Sequence, residues 1–351
     1  MPDPGSIAIR PYRSDDERDL VELFRRAFGQ SVTEDHWRWK LKRPHSPTSN
    51  VWLAVCEEKP VFQYAGIPTR FQLADGSATV MVSVDTMTAP EFRRRGLLTQ
   101  VAQQVYSAWR AGGVAFVLGL PNNQWGSRAA ALGWQELFPL QWLVRPLRPH
   151  AILARRLRMP LLSHVSFPSA LWNRLLQARV HRDPQVRIER ASLADAAFDQ
   201  LWDACKSDWA FSTVRDRDWV QWRFLSAPSS AHEVTLARRA GRPTGYCAYS
   251  LLGSGERVHA TLADMLFARQ DSATRDTLLS DLIDRLIVAK AEAVSTLAVP
   301  GTAHHRWLRH VGFFPRQAFS VQVVPLSANL PLERMRDPHQ WNLSGADFDV
   351  I

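Results

Sequence analysis

The sequence predicts a mixed α/β fold that occurs twice along the chain. The chain has 351 residues, which is long for a single hydrophobic core and suits two domains. Short motifs recur at one separation of 179 positions, and repeated returns to a single spacing indicate an internal repeat. The paired anchors are Ile9 and Ile188, Asp85 and Asp264, Pro121 and Pro300, Gly133 and Gly312, and Pro146 and Pro325. In each half, antiparallel strands precede a strand–turn–helix–strand crossover, an order that predicts a mixed sheet.

The elements of the first half follow from periodicity and turn residues. A short strand, IAIRP, leads into the helix DDERDLVELFRRAF, whose apolar residues keep a helical spacing behind a Ser14 cap. Three strands follow: VWLAVCEE, VFQYAGIPTRFQLA and TVMVSVDTMTA. The helix LLTQVAQQVYSAWRAG ends at Gly112-Gly113 and precedes the buried strand VAFVLGLP. A short helix and the strand LQWLVRPL complete this half.

The repeat divides the chain into a first domain over 1–147, a connector over 148–184, a second domain over 185–326 and a tail over 327–351. The connector holds seven arginines and no acidic residue between 148 and 182, so it supplies most of the formal charge of +9. We expect it to be helical and to pack on the body of the protein. The alternative is contact with an anionic membrane surface or an RNA. Because the rest of the chain is nearly balanced in charge, the pattern argues against a nucleic-acid partner.

Composition narrows the class of protein further. No apolar run reaches the roughly 18–20 residues that span a bilayer, and MPDPGSIAIR does not have the pattern of a signal peptide. The three cysteines, Cys56, Cys205 and Cys247, lie far apart and form no CxxC motif. They are typical of reduced thiols in a cytoplasmic protein, and no metal site is predicted.

The stretch TAPEFRRRGLL, at 88–98, predicts an anion-binding turn. A strand ends there and a helix begins, so the first N–H groups of the helix lack intrahelical partners and the helix dipole adds positive charge. Gly96 allows the backbone to approach a ligand closely, and the three preceding arginines suit phosphate groups. A solvated basic helix start is the alternative for the turn taken alone.

The run V-x-x-x-T-A-P-E-F-R-R-R-G-L-L resembles motif A of the GNAT acetyltransferase superfamily, although Leu98 replaces its final small residue. Downstream, PNNQWGSRAAALGW resembles motif B of the same superfamily. The resemblance covers the first half in full and the second half in outline. HWRWKLKRPHSPTSNVWLAV together with LGLPNN resembles a branch of bacterial tandem acetyltransferases associated with amino-sugar or surface-polysaccharide modification.

The resemblance implies acetyl-CoA as co-substrate, with its pantetheine along the strand that ends near Thr88 and its pyrophosphate on the turn. A strand amide near Met87 or Thr88 would stabilise the oxyanion. The expected cofactor-binding residues are Met87, Thr88, Arg93, Arg94, Arg95, Gly96, Leu97, Leu98, Thr99, Asn122 and Asn123.

Direct transfer to an amine needs a base, and Asp85 is the first candidate because it directly precedes the cofactor turn. The alternative is a structural carboxylate at the end of the sheet, paired with an arginine, which the recurrence of Asp264 favours. Asn122 is expected beside the cofactor at the catalytic centre. The tyrosine that usually protonates the leaving thiolate in the superfamily is replaced by Ala129.

The acceptor-binding candidates are aromatic and acidic. Tryptophan rings can stack on a sugar, and carboxylates can hold an amine or hydroxyl groups. The tail either frays, as most termini do, or folds back toward a site. The candidates are Trp37, Trp39, Trp125, Asp347 and Asp349.

The second half reads SATRDT at 272–277 where the first has its arginine turn, and Asp271 and Asp276 would repel a pyrophosphate. We therefore expect a degenerate second copy that does not bind CoA. The sequence predicts an N-acetyltransferase that acetylates a primary amine of a small molecule, with an amino sugar favoured. The alternatives are a Fem-like aminoacyl transferase that uses aminoacyl-tRNA, and a non-catalytic acyl-CoA sensor or scaffold.

Overall fold

The computed structural model describes residues 6–42, 49–74, 76–121, 125, 128–159, 167–228, 232–253 and 257–348. The chain forms two compact units. Unit 1 comprises Met1–Phe138 and Phe319–Asp337, and unit 2 comprises Pro139–Ala318 and Pro338–Ile351. Both units mix helices with a sheet, which confirms the predicted α/β class.

The first 146 residues hold six strands and four helices among the described ranges. The strands are β1 (Ile7–Pro11), β2 (Val51–Cys56), β3 (Lys59–Leu73), β4 (Gly76–Thr88), β5 (Phe116–Gly119) and β6 (Gln135–Pro146). The helices are α1 (Glu17–Phe28), α2 (Glu34–Leu41), α3 (Leu97–Ala111) and α4 (Arg128–Ala131). Helix α1 starts at Glu17, and its N-cap residue is Asp16 instead of the predicted Ser14; the Asp16 carboxylate accepts from Arg10 Nη1 and Nη2 at 2.7 Å.

The remaining elements follow in a similar order. The connector contains α5 (Pro149–Arg156) and α6 (Phe167–Gln177). The later strands are β7 (Val186–Ala191), β8 (Phe211–Thr213), β9 (His232–Arg239), β10 (Arg242–Leu252), β11 (His259–Phe267), β12 (Ala293–Ala298), β13 (Phe314–Pro325) and β14 (Trp341–Asn342). The later helices are α7 (Ala196–Cys205), α8 (Arg217–Val220), α9 (Ser272–Val288), α10 (Ala303–His310) and α11 (Leu332–Met335).

The sheet of unit 1 runs β1, β2, β3, β4, β5 and then the end of β13. Neighbours are antiparallel except β4 and β5, which pair in parallel. Helix α3 packs on this sheet through its buried face, formed by Leu97, Val101, Ala102, Val105, Tyr106 and Trp109. The sheet thereby fixes where α3 begins.

The sheet of unit 2 runs β6, β12, β11, β10, β9 and β7, and along this order β11 and β12 pair in parallel while the other neighbours are antiparallel. One apolar cluster joins this sheet to α9 and α10, and a second joins it to α7 and α8. Fully buried Leu278, Ile283 and Leu308 belong to the first cluster, and Phe198 and Leu201 to the second.

The compact units differ from the contiguous ranges 1–147 and 185–326. Gln141–Pro146 of β6 pairs with β12 inside unit 2, and Gln322–Pro325 of β13 pairs with β5 inside unit 1. The last strand of each half thus enters the sheet built by the other half. A spacing between motifs carries no information about this exchange.

The connector lies in unit 2 and its arginines bond to that unit. Arg155 forms an ion pair with Glu292 at 2.6 Å, and Arg182 forms one with Asp284 at 3.2 Å. Arg179 donates to the carbonyl of His310 at 2.9 Å. Part of the basic charge is thereby matched within unit 2.

The tail is ordered over its described residues. After α11 it forms β14, which pairs in parallel with β8, and a short 3₁₀ turn at Gly345–Asp347. Trp341 and Asp347 are buried. Among the helices that the structure describes, none is both long and apolar enough to cross a bilayer.

Candidate functional site

The start of α3 is built to receive an anion. Gly96 has φ +77° and directly precedes the helix, and Arg94 also adopts a positive φ of 64°. Such turns direct successive N–H groups toward one point, where an anion can bind. A Cβ on Gly96 would meet only Gln100 Nε2, at 3.7 Å. The amide of Thr99 donates to the Gly96 carbonyl at 3.1 Å. The N–H groups available to an anion therefore precede Thr99, although Thr99 was among the predicted cofactor-binding residues.

A cavity of about 990 Å³ opens over this turn, within unit 1. It is lined by Thr86–Thr88 of β4, by Phe92–Thr99, and by Trp125 and Arg128. Arg93, Arg94 and Arg95 are exposed, and the Arg95 guanidinium lies 4.8 Å from the centre of the Phe92 ring. The structure therefore brings together all nine predicted cofactor-binding residues between Met87 and Thr99. Asn122 and Asn123 lie outside the described residues.

The cavity reaches the point where two strands separate. Strands β4 and β5 pair only at Met81 with Val117 and at Val82 with Leu118. Beyond Val82, the β3–β4 register shifts between Gln63 and Ala65. The later residues of β4 are thus free of β5 and line the cavity. A linear ligand can pair with a strand edge of this kind.

Asp85 sits in the irregular segment of β4, with φ 45°. Its Oδ2 forms an ion pair with Lys40 Nζ at 2.8 Å, and both side chains are largely buried. The Asp85 carbonyl accepts from Gln63 Nε2 at 3.1 Å. Asp85 is therefore ion-paired, as in the structural alternative, but with a lysine in place of the expected arginine.

A hydroxyl network lies beside the strand separation and was not identified from the sequence. The hydroxyls of Tyr64 and Tyr106 lie 2.8 Å apart, and Trp134 Nε1 donates to Tyr106 at 3.0 Å. Ser83 donates to Tyr64 at 3.4 Å. Burial raises the pKa of Tyr64 to about 12 and raises the pKa of Tyr106 further, so both remain protonated at neutral pH. The only sequence signal was the helical spacing of Tyr106 on α3.

The predicted acceptor residues are scattered. Trp125 lines the cavity and packs edge-on against Trp134 at 5.6 Å. Trp37 is instead a core residue, 2% exposed and 5.0 Å from the Tyr12 ring, while Trp39 packs against His36. Asp347 belongs to unit 2 and binds Arg215 at 2.6 Å. Asp349 lies outside the described residues.

The start of α9 in unit 2 differs from that of α3. Asp271 caps it, accepting from the Thr274 amide at 3.0 Å. Arg239 binds the same carboxylate at 3.1 Å. Asp276, beyond the first turn of the helix, forms an ion pair with Arg275 at 2.8 Å. The positive end of this helix is already matched by carboxylates of the chain.

No metal centre emerges from the described residues, among which no three His, Cys, Asp or Glu side chains form a group suited to a metal ion. The three cysteines are buried and unbridged.

The sequence model of the acetyltransferase (GNAT) domain family matches residues 8–135. No curated protein is significantly similar in sequence to this chain.

Several solved structures share the fold. A conserved protein of unknown function from Enterococcus faecalis V583, described as a probable N-acyltransferase, matches at TM-score 0.67 and 13% identity, covering 92% of this chain and 73% of that one. A GCN5-related N-acetyltransferase from Anabaena variabilis ATCC 29413 matches at TM-score 0.65 and 11% identity, also covering 92% of this chain and 73% of that one. A GCN5-related N-acetyltransferase from Kribbella flavida matches at TM-score 0.61 and 13% identity, covering 91% of this chain and 70% of that one. Identities this low show the fold alone.

The family match covers the strands, the arginine turn and the cavity described above. Residues 8–135 match the GNAT acetyltransferase domain family, and this match supports an acyltransferase.

Proposed function

We propose that the chain transfers an acetyl group from acetyl-CoA to a primary amine of a small molecule, and that the reaction takes place in unit 1. The observation that carries this proposal is the cavity over Thr86–Thr99, with the exposed Arg93–Arg95 and the left-handed Gly96 at the start of α3. These groups suit a pyrophosphate. The separated edge of β4 suits a pantetheine arm.

In the proposed reaction the amine nitrogen attacks the thioester carbonyl carbon, the C–S bond breaks, and the thiolate takes up a proton. The amide of Met87 or Thr88 would stabilise the oxyanion. The proton lost by the amine goes to a base, and Asp85 remains our candidate. Its ion pair with Lys40 makes a structural role the direct competitor.

Asp85→Asn and Lys40→Met separate the two roles. A general base contributes roughly 10²–10⁴-fold to the rate. If Asp85 is the base, Asp85→Asn lowers kcat by about a hundredfold or more and removes the acidic limb of the pH–rate profile, while Lys40→Met retains that limb. Equal losses of thermal stability with an unchanged pH profile would assign Asp85 a structural role.

We further propose that the second half is a degenerate copy of the first and binds no CoA. Support comes from the matching order of elements, from the parallel strand pairs β4 with β5 and β11 with β12, and from Asp271 at the start of α9. The favoured acceptor, an amino sugar, rests on the resemblance of the HWRWKLKRPHSPTSNVWLAV segment to the tandem acetyltransferase branch. The expected location is the cytoplasm.

The proposal is tested by a thermal shift with acetyl-CoA, followed by thiol release with a panel of amines that includes amino sugars. We expect a shift, and turnover with at least one amine. Arg93→Glu combined with Gly96→Glu should abolish the shift, whereas Arg275→Glu should leave it intact. The opposite pattern would place the cofactor in unit 2.

The alternative of an acyl-CoA sensor is favoured by one observation. The position of the superfamily's acid tyrosine is Ala129, a small buried side chain. The nearby hydroxyls of Tyr64 and Tyr106 are already bonded to each other. A thermal shift without thiol release on any amine would support the sensor over the enzyme.

A further inference from the structure

A second cavity, of about 110 Å³, lies wholly within unit 2. Strands β11 and β12 pair in parallel from His259 with Ala293 to Thr261 with Ser295 and then separate. The cavity begins at the separation, beside Leu262 and Thr296. It therefore occupies the same kind of position as the cavity of unit 1, between two diverging parallel strands.

The walls of this cavity are mostly apolar and include the tail. Phe267 and Val299 line it from the strand side, and Trp341 and Leu343 line it from the tail. All four are at least nine-tenths buried. Because β14 is anchored on β8, the tail is a fixed wall. A ligand here needs a short apolar body.

Asp264, which lines the cavity, has a carboxylate oxygen that no described residue satisfies. Asp264 is 1% exposed, and its Oδ2 accepts from Arg215 Nε at 2.9 Å and from the Tyr246 hydroxyl. Its Oδ1 is buried and has no hydrogen-bond partner among the described residues. Buried carboxylate oxygens are normally satisfied. A hydrogen-bond donor is therefore expected from a ligand.

An unsatisfied donor lines the same cavity. Asn342 Nδ2 is buried and has no acceptor in the described part of the chain. The two cavity-lining arginines are engaged elsewhere: Arg275 pairs with Asp276 at 2.8 Å, and Arg269 Nη1 donates to the Asp208 carbonyl at 3.3 Å. A ligand that satisfies this cavity therefore needs one hydrogen-bond donor and one hydrogen-bond acceptor, and the lining does not favour an anion.

We propose that this cavity is a binding site for a small neutral molecule whose amide or hydroxyl group donates to Asp264 Oδ1 and accepts from Asn342 Nδ2, with its short apolar part against Phe267 and Val299. An ammonium ion can only donate and a ketone can only accept, so neither satisfies both atoms. His304, which also lines the cavity, is compatible with a neutral ligand, because burial lowers its pKa to about 4 and leaves it uncharged at neutral pH. The site is independent of acetyl transfer in unit 1.

The test uses the full chain labelled with ¹³C-methyl methionine, because Met265 lines this cavity and Met87 lines the cavity of unit 1. The probes are N-methylacetamide and 1-propanol, which donate and accept, propylammonium, which only donates, and butanone, which only accepts. We expect saturable shifts of the Met265 methyl signal with N-methylacetamide or 1-propanol and no shift of Met87. The tighter of these two probes identifies the head group as amide or hydroxyl.

Asn342→Leu removes the donor without touching the Arg215 network and should weaken binding at least tenfold. Asn329→Leu makes the same change on the exposed surface and should have no effect. Val299→Phe fills the cavity and should abolish the Met265 shift. The proposal is overturned if propylammonium or butanone binds as tightly as the bifunctional probes, if Asn342→Leu binds like the wild type with an unchanged melting temperature, or if Met265 does not respond to any probe.

Discussion

Helices α3 and α9 begin in the same kind of place, after a strand whose partner is parallel, yet their first turns have opposite electrostatics. At α3 the chain supplies three exposed arginines and a glycine with φ +77°. At α9 it supplies Asp271, which caps the helix and binds Arg239. The dipole of each helix favours an anion. In unit 2 a carboxylate of the chain is that anion, whereas in unit 1 the position is open to a ligand.

The cavities at the two strand separations beside these helices also differ, both in volume and in the residues that border them. The cavity of unit 1 has about 990 Å³ and is bordered by a basic turn. That of unit 2 has about 110 Å³ and is bordered by the tail, which is fixed through Arg215 and Arg223. The fold alone therefore does not specify a cofactor site. The residues at the helix start and across the strand gap decide what each unit can bind.

The largest expected effect comes from disrupting the buried ion pairs of unit 2. Arg215 is fully buried between Asp264 and Asp347. Arg215→Met leaves two buried carboxylates without their cation, so we expect the free energy of unfolding to fall by about 3–5 kcal/mol. Urea denaturation measures this.

Arg217→Met is the matched control, because Arg217 is half-exposed in its pair with Asp199. Pairs of that kind contribute about 0–1 kcal/mol. A loss below 1 kcal/mol for Arg215→Met would contradict the assigned role of the buried network.

The second-largest effect is expected at the start of α3 in unit 1. Gly96→Glu places an anion at the helix start and forces a side chain into a left-handed conformation, which costs roughly 1–2 kcal/mol. We expect the affinity for acetyl-CoA to fall by about a hundredfold, or roughly 2.7 kcal/mol, in isothermal titration calorimetry. Gly113→Glu has a similar φ of 79° at the other end of α3 and should bind normally. Equal losses in both variants would mean that strain, not the anion site, is responsible.

A smaller effect is expected from acid. Burial lowers the pKa of His304 to about 4, whereas an unfolded histidine titrates near 6.5. Between these values the unfolded chain binds a proton that the folded chain does not, so the free energy of unfolding falls as the pH drops from 6.5 toward 4. Since the ring is partly exposed, we expect a loss on the order of 1–2 kcal/mol.

Urea titrations of wild type and His304→Gln at pH 7 and pH 4.5 isolate this contribution. Asp347, whose pKa is raised by burial, acts in the opposite sense in both proteins and cancels. The variant should lose less stability in acid than the wild type. An identical loss would show that His304 does not contribute.

The smallest effect is expected from removing the cap at the start of α9. Asp271→Ala removes the cap of the helix, and such changes cost about 1 kcal/mol. We expect that loss in urea denaturation and no second acetyl-CoA site, because no arginine turn exists there. Appearance of a second site by calorimetry would mean that Asp271 alone blocks cofactor binding in unit 2.

The parts of the site that the sequence predicted are local. The turn, its left-handed glycine and the helix after it are specified by adjacent residues, so Met87–Thr99 could be identified as one surface. Partners distant in sequence could not. Lys40 reaches Asp85 from helix α2, and Trp37 packs in the core, where it contacts Tyr12 and Gln63.

The second half shows the same limit on a larger scale. The tail looked like either a frayed end or an acceptor-binding arm, and instead Asp347 binds Arg215, a residue that no motif singled out. The exchange of β6 and β13 was equally invisible, because each strand has the same pattern whichever sheet it joins. Fold class was accessible from pattern, but the pairing of distant elements was not.

The central claim is that one unit of this chain binds the cofactor and the other does not. The number of acetyl-CoA molecules bound per chain, measured by isothermal titration calorimetry, tests it most directly. We predict one site per chain in the wild type, and we predict that Gly96→Glu weakens binding at this site about a hundredfold. Two sites per chain, or one site that survives Gly96→Glu and is lost in Arg275→Glu, would contradict the account.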